Sequence, residues 1–264
     1  MISLHMTGGL ANAMFIIAMG ETWRKQGYNV VYSDMDGWFN KLANGFYSHS
    51  RSVREYKHIF ENFDWDKYKV APNIGFRNAR LPFRCIGLKP QDGFHYIGYF
   101  QSEKYFYSND FVKWLFLPSE MVKRKMSKYD DLYNSSTCSI HVRRGDYLKL
   151  PDHYPVPKME YYNTAIERLN DKIDKFLIFS DDIEWCKNNF KGNKYHFIKD
   201  RDYLEFFLQS KCNHHIICNS SFGLLGALLG EQEDTIVYTP RVWFGRRLPV
   251  NHADDIVPDR YIKL

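Results

Sequence analysis

Three short polar stretches, each directly following an apolar run, hold the residues best suited to chemistry. Arg143-Arg144-Gly145-Asp146 follows CSIHV, Ser180-Asp181-Asp182 follows KFLIF, and Asn219-Ser220-Ser221 follows HHIIC. A guanidinium is planar and permanently charged, so Arg143 suits a diphosphate whose charge rises as its bond to a sugar breaks. Neighbouring residues of a strand face opposite ways, so His141 and Arg143 share one face and Arg144 turns back toward the fold. A purely structural clasp between arginine and Asp146 accounts for the same spacing. Asn219-Ser220-Ser221 opens the apolar segment FGLLGALLG, which makes it either a phosphate seat at a helix N-terminus or an ordinary serine cap. Ser180-Asp181-Asp182 stands in the same double light: its acids suit the first turn of a helix, or a carboxylate there accepts hydrogen bonds from a nucleobase or ribose.

The segments between these stretches dictate where they must lie. Strands are expected at CSIHV, KFLIFS, KYHFI, HHIICN and DTIVYT, separated by helical patterns of about ten residues, which is the signature of a parallel doubly wound sheet. In such sheets ligands bind beyond the carboxyl ends of the strands, where all three polar stretches sit. Upstream, ISLHM, MFIIAMGETWRKQG and YNVVYSD form a βαβ unit in which Thr7-Gly8-Gly9-Leu10-Ala11-Asn12 is a tight loop. Residues 37–95 are irregular, broken by Pro72, Pro82 and Pro90, and are expected to elaborate a site with loops and helices. GFHYIGYFQ reads as a strand, SEKYFYSNDFVKWLF as a helix opened by Ser102, and 119–133 as a linker helix.

Composition narrows the classes. The chain has 264 residues, 44% of them hydrophobic, enough for two modest packed domains. A net charge of +5 scattered along the chain gives no basic patch for nucleic acid. The five cysteines include no CxxC pair, which fits a reducing compartment better than a disulfide framework. The apolar start lacks a basic n-region and is interrupted by Gly8-Gly9, so a soluble cytoplasmic enzyme is expected. The pairs His214-His215 and Asp34-Met35-Asp36 invite metal readings, but consecutive histidines on a strand diverge and a lone DxD is common, so no metal is assigned.

Taken in order, GGLANAMFI (8–16), GYFQSEKYF (98–106), HVRRGDY (141–147), FSDDIEW (179–185), NSSFGLLGALL (219–229) and DRYIKL (259–264) resemble the α-1,2-fucosyltransferases of glycosyltransferase family 11 over the whole chain. The resemblance implies an α/β fold of GT-B type, two Rossmann-like domains facing across a cleft. It places the acceptor-side domain at 1–133 and the GDP-fucose domain at 134–264. It implies an inverting transfer of fucose to the 2-hydroxyl of a galactose-type glycan, with arginine neutralising the diphosphate in place of a metal. By the same resemblance Arg143 contacts the β-phosphate; Ser220, Ser221, Asn219 and Phe222 line the donor site; and Ser180 and Asp181 lie near the nucleoside. Gly9 and Asn12 contribute from the opening loop, and His141 and Asp146 join Arg143 as catalytic candidates. The implied partners are a sugar nucleotide and a glycan acceptor. Ala11 stands where the family has Gly, Ala13 where it has Gln, and Leu224-Leu225 where it has a Trp pair. These departures motivate one rival, a sugar- or nucleotide-binding protein of the same fold with weakened turnover; a metal-dependent transferase built on Asp34-Met35-Asp36 is another.

Overall fold

The computed structural model describes residues 1–34, 56, 58–63, 77–81, 85–248 and 253–264. Much of the irregular stretch expected at 37–95, together with Met35 and Asp36 of the DxD, lies outside the described residues. The chain forms two compact units, Met1–Ser119 with Asp254–Ile256, and Glu120–Ala253 with Val257–Leu264.

The first unit is a parallel sheet of β1 (Ile2–Met6), β2 (Val30–Asp34), β3 (Arg77–Arg80) and β4 (Phe94–Ile97), in the order β2-β1-β4-β3. Helix α1 (Leu10–Lys25) connects β1 to β2 and is longer than expected, because Gly9 in extended backbone already serves as its N-cap. Leu10, Ala11, Met14, Phe15, Ile17 and Ala18 are all buried, so packing continues the helix one turn further toward the loop than its apolar run suggests. Gly20 lets α1 press on β2: a Cβ there would stand 2.4 Å from the hydroxyl of Tyr32.

The helix expected from Ser102 to Phe116 is two pieces. Ser102 caps a single 3-10 turn, Glu103–Tyr105, and Ser108 then caps α2 (Asn109–Leu115), its Oγ accepting from the Phe111 N–H at 3.1 Å. Two cap residues compete for one stretch of chain, and Phe106 between them is extended, its ring stacked on Phe15 at 5.9 Å.

The second unit holds α3 (Glu120–Met126), β5 (Thr137–Val142), α4 (Met159–Leu169), β6 (Lys175–Ser180), α5 (Ile183–Asn189) and β7 (Tyr195–Ile198). It continues with α6 (Asp202–Ser210), β8 (His214–Ile216), α7 (Ser221–Gly230), β9 (Val237–Thr239) and β10 (Ile262–Lys263). All six strands are parallel, in the order β10-β9-β8-β5-β6-β7. Counted from β5 as strand one this is 3-2-1-4-5-6, the doubly wound order whose direction reverses between strands one and four. Helices on both faces leave every residue of β5 buried, the polar Thr137, Ser139 and His141 along with the apolar Cys138, Ile140 and Val142.

The boundary expected at 133/134 falls instead at 119/120. The charged segment 119–133 is no free linker, because its aromatic face belongs to the second unit. Tyr129, Leu132 and Tyr133 pack on Leu177, Phe179 and Leu208, and the Tyr133 hydroxyl donates to the Leu208 carbonyl at 2.6 Å.

Candidate functional site

In the second unit the winding reverses between β5 and β8, so the residues beyond Val142 and Ile216 flank the crevice where such sheets bind ligands. Arg143 to Asp146 lie on one side and Cys218 to Ser221 on the other. Two stretches separated in sequence by more than seventy residues are brought to one edge of one sheet.

The loop after β5 is held by the loop after β6. Asp181 accepts the backbone N–H of Arg144 at 2.9 Å and of Gly145 at 3.0 Å, one with each carboxylate oxygen. Gly145 is required there, since a Cβ would stand 2.6 Å from Asp181 Oδ2. Arg144 turns away from the sheet edge, pairs with Asp182 at 3.1 Å and lies 4.0 Å over the ring of Trp185. Asp182 also caps α5, taking the Trp185 N–H at 3.2 Å, and Ser180 Oγ accepts from the Asp182 N–H at 2.9 Å. HVRRGDY and FSDDIEW therefore form one structural piece, with the second arginine and the two aspartates as its fastening.

Arg143 is the arginine left to face the crevice. Its Nε and Nη2 both point at Asp146 Oδ1, at 2.9 and 2.8 Å, and its Nη1 lies 3.2 Å from Asp181 Oδ2. Burial works against its charge, but the facing carboxylates of Asp181 and Asp146 outweigh it and hold the guanidinium more firmly protonated than usual. The ring of Tyr147 lies 5.8 Å below, and the Tyr147 hydroxyl crosses the crevice to donate to the Asn219 carbonyl at 3.1 Å. Tyr147 stacks in turn on Tyr154 at 4.8 Å.

On the other side Ser220 is the N-cap of α7, its Oγ accepting from the Phe222 N–H at 3.3 Å. No acidic residue occupies the first turn of that helix, so the positive end of its dipole is not neutralised locally. Asn219 is 2% exposed. Its Nδ2 donates to the Trp243 carbonyl at 2.9 Å, while its Oδ1 is buried without a hydrogen-bond partner.

His141 is a packing residue. It is buried, stacked on Phe222 at 5.3 Å, with Nδ1 at 3.3 Å from the Cys218 sulfur. Burial first, and then Arg143, push its pKa down to about 3, so it remains a neutral ring. Gly223 makes the contact possible, since a Cβ there would reach 2.8 Å from His141 Nδ1. Buried there, His141 seats α7 against β5. Phe222 presents its ring to His141 and Phe206, which makes it part of the same packing.

In the first unit the reversal lies between β1 and β4, and the flanking loops carry no charge of their own at this edge. Gly8 sits at φ +80, and a Cβ there would collide with the Asn12 side chain. Asn12 Oδ1 accepts from Gln101 Nε2 at 2.7 Å, tying the first turn of α1 to the loop after β4. Phe100, buried and at φ +51, precedes that glutamine, a strained position for a bulky side chain. Near Gly9 nothing among the described residues lies within 4 Å of where a Cβ would stand. The four departures from the motifs, Ala11, Ala13, Leu224 and Leu225, are all buried packing positions of α1 and α7.

Sequence reasoning singled out Arg143, Asp146, Ser180, Asp181, Asn219, Ser220 and Ser221, and the structure brings them to one sheet edge. It missed Tyr147 and Trp185; Asp182 it had named with Ser180 and Asp181 as an acid suited to a helix start, which is where it caps α5. Asp182 and Trp185 carried a signal, the three-residue spacing of a cap and its N–H partner. Among the described residues no three His, Cys, Asp or Glu side chains form a set that could hold a metal ion, and no helix is long and apolar enough to cross a membrane.

An α-1,2-colitosyltransferase of Escherichia coli is 26% identical across 98% of this chain and 97% of its own length. The O-antigen biosynthesis glycosyltransferase WbnK of Escherichia coli is 35% identical over 50% of this chain and 45% of its own. A galactoside α-(1,2)-fucosyltransferase 1 of Ateles belzebuth is 31% identical over 34% of this chain and 28% of its own. The chain thus spans less than half the length of the latter two. Among solved structures, the fucosyltransferase NodZ from Bradyrhizobium superposes with a TM-score of 0.51 at 12% identity, covering 86% of this chain and 93% of NodZ. That likeness shows the fold, the GT-B type with two Rossmann-like units. The profile of glycosyl transferase family 11 matches residues 48–246, and the chain belongs to that family.

Proposed function

We propose that the protein transfers L-fucose from GDP-fucose to the 2-hydroxyl of a galactose-type glycan terminus, with inversion and without a metal. The observation that supports this most is the pairing of Arg143 with the open N-terminus of α7 across one switch point. A permanent cation and the positive end of a helix with no acid in its first turn suit a diphosphate leaving group there. In the reaction the acceptor oxygen bonds to the anomeric carbon as the bond from that carbon to the β-phosphate oxygen breaks. The electron pair leaves with GDP, and charge grows where Arg143 and the helix end are already oriented. Asn219 Oδ1, buried and unpartnered, offers an acceptor to a hydroxyl or N–H of the nucleotide.

A second reading has one observation in its favour: the relative matched over nearly the whole chain is a colitosyltransferase. Colitose is fucose without its 3-hydroxyl, so the same diphosphate machinery serves either sugar. The test is GDP release from GDP-fucose and from GDP-colitose, each with a panel of galactosides and with EDTA throughout. Acceptor-dependent release in EDTA with one donor identifies it. GDP binding without release from either donor would replace the proposal with a nucleotide-binding protein of the same fold.

A further inference from the structure

We infer that Asp146 is the displaceable partner of Arg143, pushed aside by the donor diphosphate when it binds. The inference rests on the donor reading above. A guanidinium binds a phosphate best through two parallel N–H bonds from one edge. Of the edges of Arg143, the one formed by Nε and Nη2 is spent on a single oxygen of Asp146, at 2.9 and 2.8 Å. The Nη1 side is 3.2 Å from Asp181.

These two carboxylates are not equally fixed. Asp181 is fastened by the N–H groups of Arg144 and Gly145, and Asp182 by the N–H of Trp185 and the guanidinium of Arg144. Asp146 begins the 3-10 turn Tyr147–Lys149, yet its side chain makes no cap hydrogen bond. Its side chain is 41% exposed, against 23% for Asp181. Swinging it outward leaves no backbone N–H unpaired.

Charge gives the swing its reason. Two arginines, 143 and 144, face three aspartates, 146, 181 and 182, so the cluster carries two positive and three negative charges, a surplus of one negative. A diphosphate entering that cluster meets repulsion until one carboxylate withdraws, and Asp146 is the one whose withdrawal breaks nothing else. Once released it remains three residues from Arg143, beside the leaving group.

The experiment is a calorimetric titration of GDP into the wild type, Asp146→Asn and Asp181→Asn, followed by transfer kinetics on the same preparations. Asp146→Asn removes a competitor, so GDP binds roughly two- to fivefold tighter, the scale of a partly exposed ion pair. Asp181→Asn has the opposite sign, binding GDP more weakly as the Arg144-Gly145 loop loosens. A merely structural Asp146 would weaken binding and turnover together, so GDP affinity that is unchanged or weaker in Asp146→Asn overturns the inference. Should that variant not give a wild-type unfolding transition, Asp146→Ser provides the same comparison. A wild type that binds no GDP would overturn the donor assignment itself, an outcome separate from the sign of the Asp146 effect.

Discussion

The two units carry the same device in the middle of their sheets and different chemistry at the rim. In the first, Ser3 of β1 faces His95 of β4 in register, with Ser3 Oγ 2.9 Å from His95 Nδ1. In the second, Ser139 of β5 faces His215 of β8, with Ser139 Oγ 2.7 Å from His215 Nδ1. Both pairs bridge the two strands at which the winding reverses, and in both the histidine Nε2 is buried without a hydrogen-bond partner. No internal repeat is visible in the sequence, yet the strand pair under each switch point is stitched the same way. Above the stitch the units diverge: a neutral amide contact, Gln101 to Asn12, against an ion network around Arg143. The scaffold makes the crevice, and the loop residues decide whether it can hold a charge.

The strongest way to break that contrast is Arg143→Ala, which should cost roughly 10²–10³ in kcat, the scale for one charge-stabilising donor. Arg143→Lys should recover little, because a point charge cannot replace a fork. Wild-type turnover in either would return the rim of the second unit to a structural role.

The shared stitch predicts a shared weakness to acid. Burial, and then His214, hold the folded His215 pKa near 3, against 6.5 in the open chain; burial also lowers His95. A base whose folded pKa is depressed stabilises the fold above the unfolded pKa, and that contribution is lost as pH falls from about 6.5 toward about 3. Urea midpoints should decline over that window, and His215→Gln should flatten the decline. An unaltered slope in the variant would show that the acid sensitivity lies elsewhere.

Arg144→Ala should destabilise by about 1–3 kcal/mol, because it strips Asp182 of a partly buried partner and uncovers Trp185. Chemical denaturation measures this, and an effect within ±0.5 kcal/mol would show that the fastening between the two loops is dispensable. The smallest effect belongs to the neutral rim: Gln101→Ala should raise the acceptor KM about two- to fivefold with GDP affinity unchanged, the signature of a lost uniform contact. A change in GDP affinity instead would tie the first unit to the donor.

The five strands and four intervening helices of the second unit were legible because runs such as β6 are buried on both faces, helices such as α4 have a polar side, and α7 is an apolar run behind a serine cap. So was the position of Arg143, since strand alternation alone separates it from Arg144. The split helix after Ser102 was not, because Ser108 is an equally good cap and the choice is made by Phe106 stacking on Phe15. The role of Asp181 was hidden for a different reason. Its partners are backbone N–H groups thirty-six and thirty-seven residues away, and backbone groups leave no mark on residue identity.

The three residues Asp254–Ile256 that rejoin the first unit set an order of events during synthesis. Ile256 is fully buried and Asp255 pairs with Lys104, yet both leave the ribosome after nearly all of the second unit. The unit translated first must therefore wait, with a position in its core unfilled, until nearly all of its younger neighbour has been made, and only the closing strand β10 of that neighbour follows.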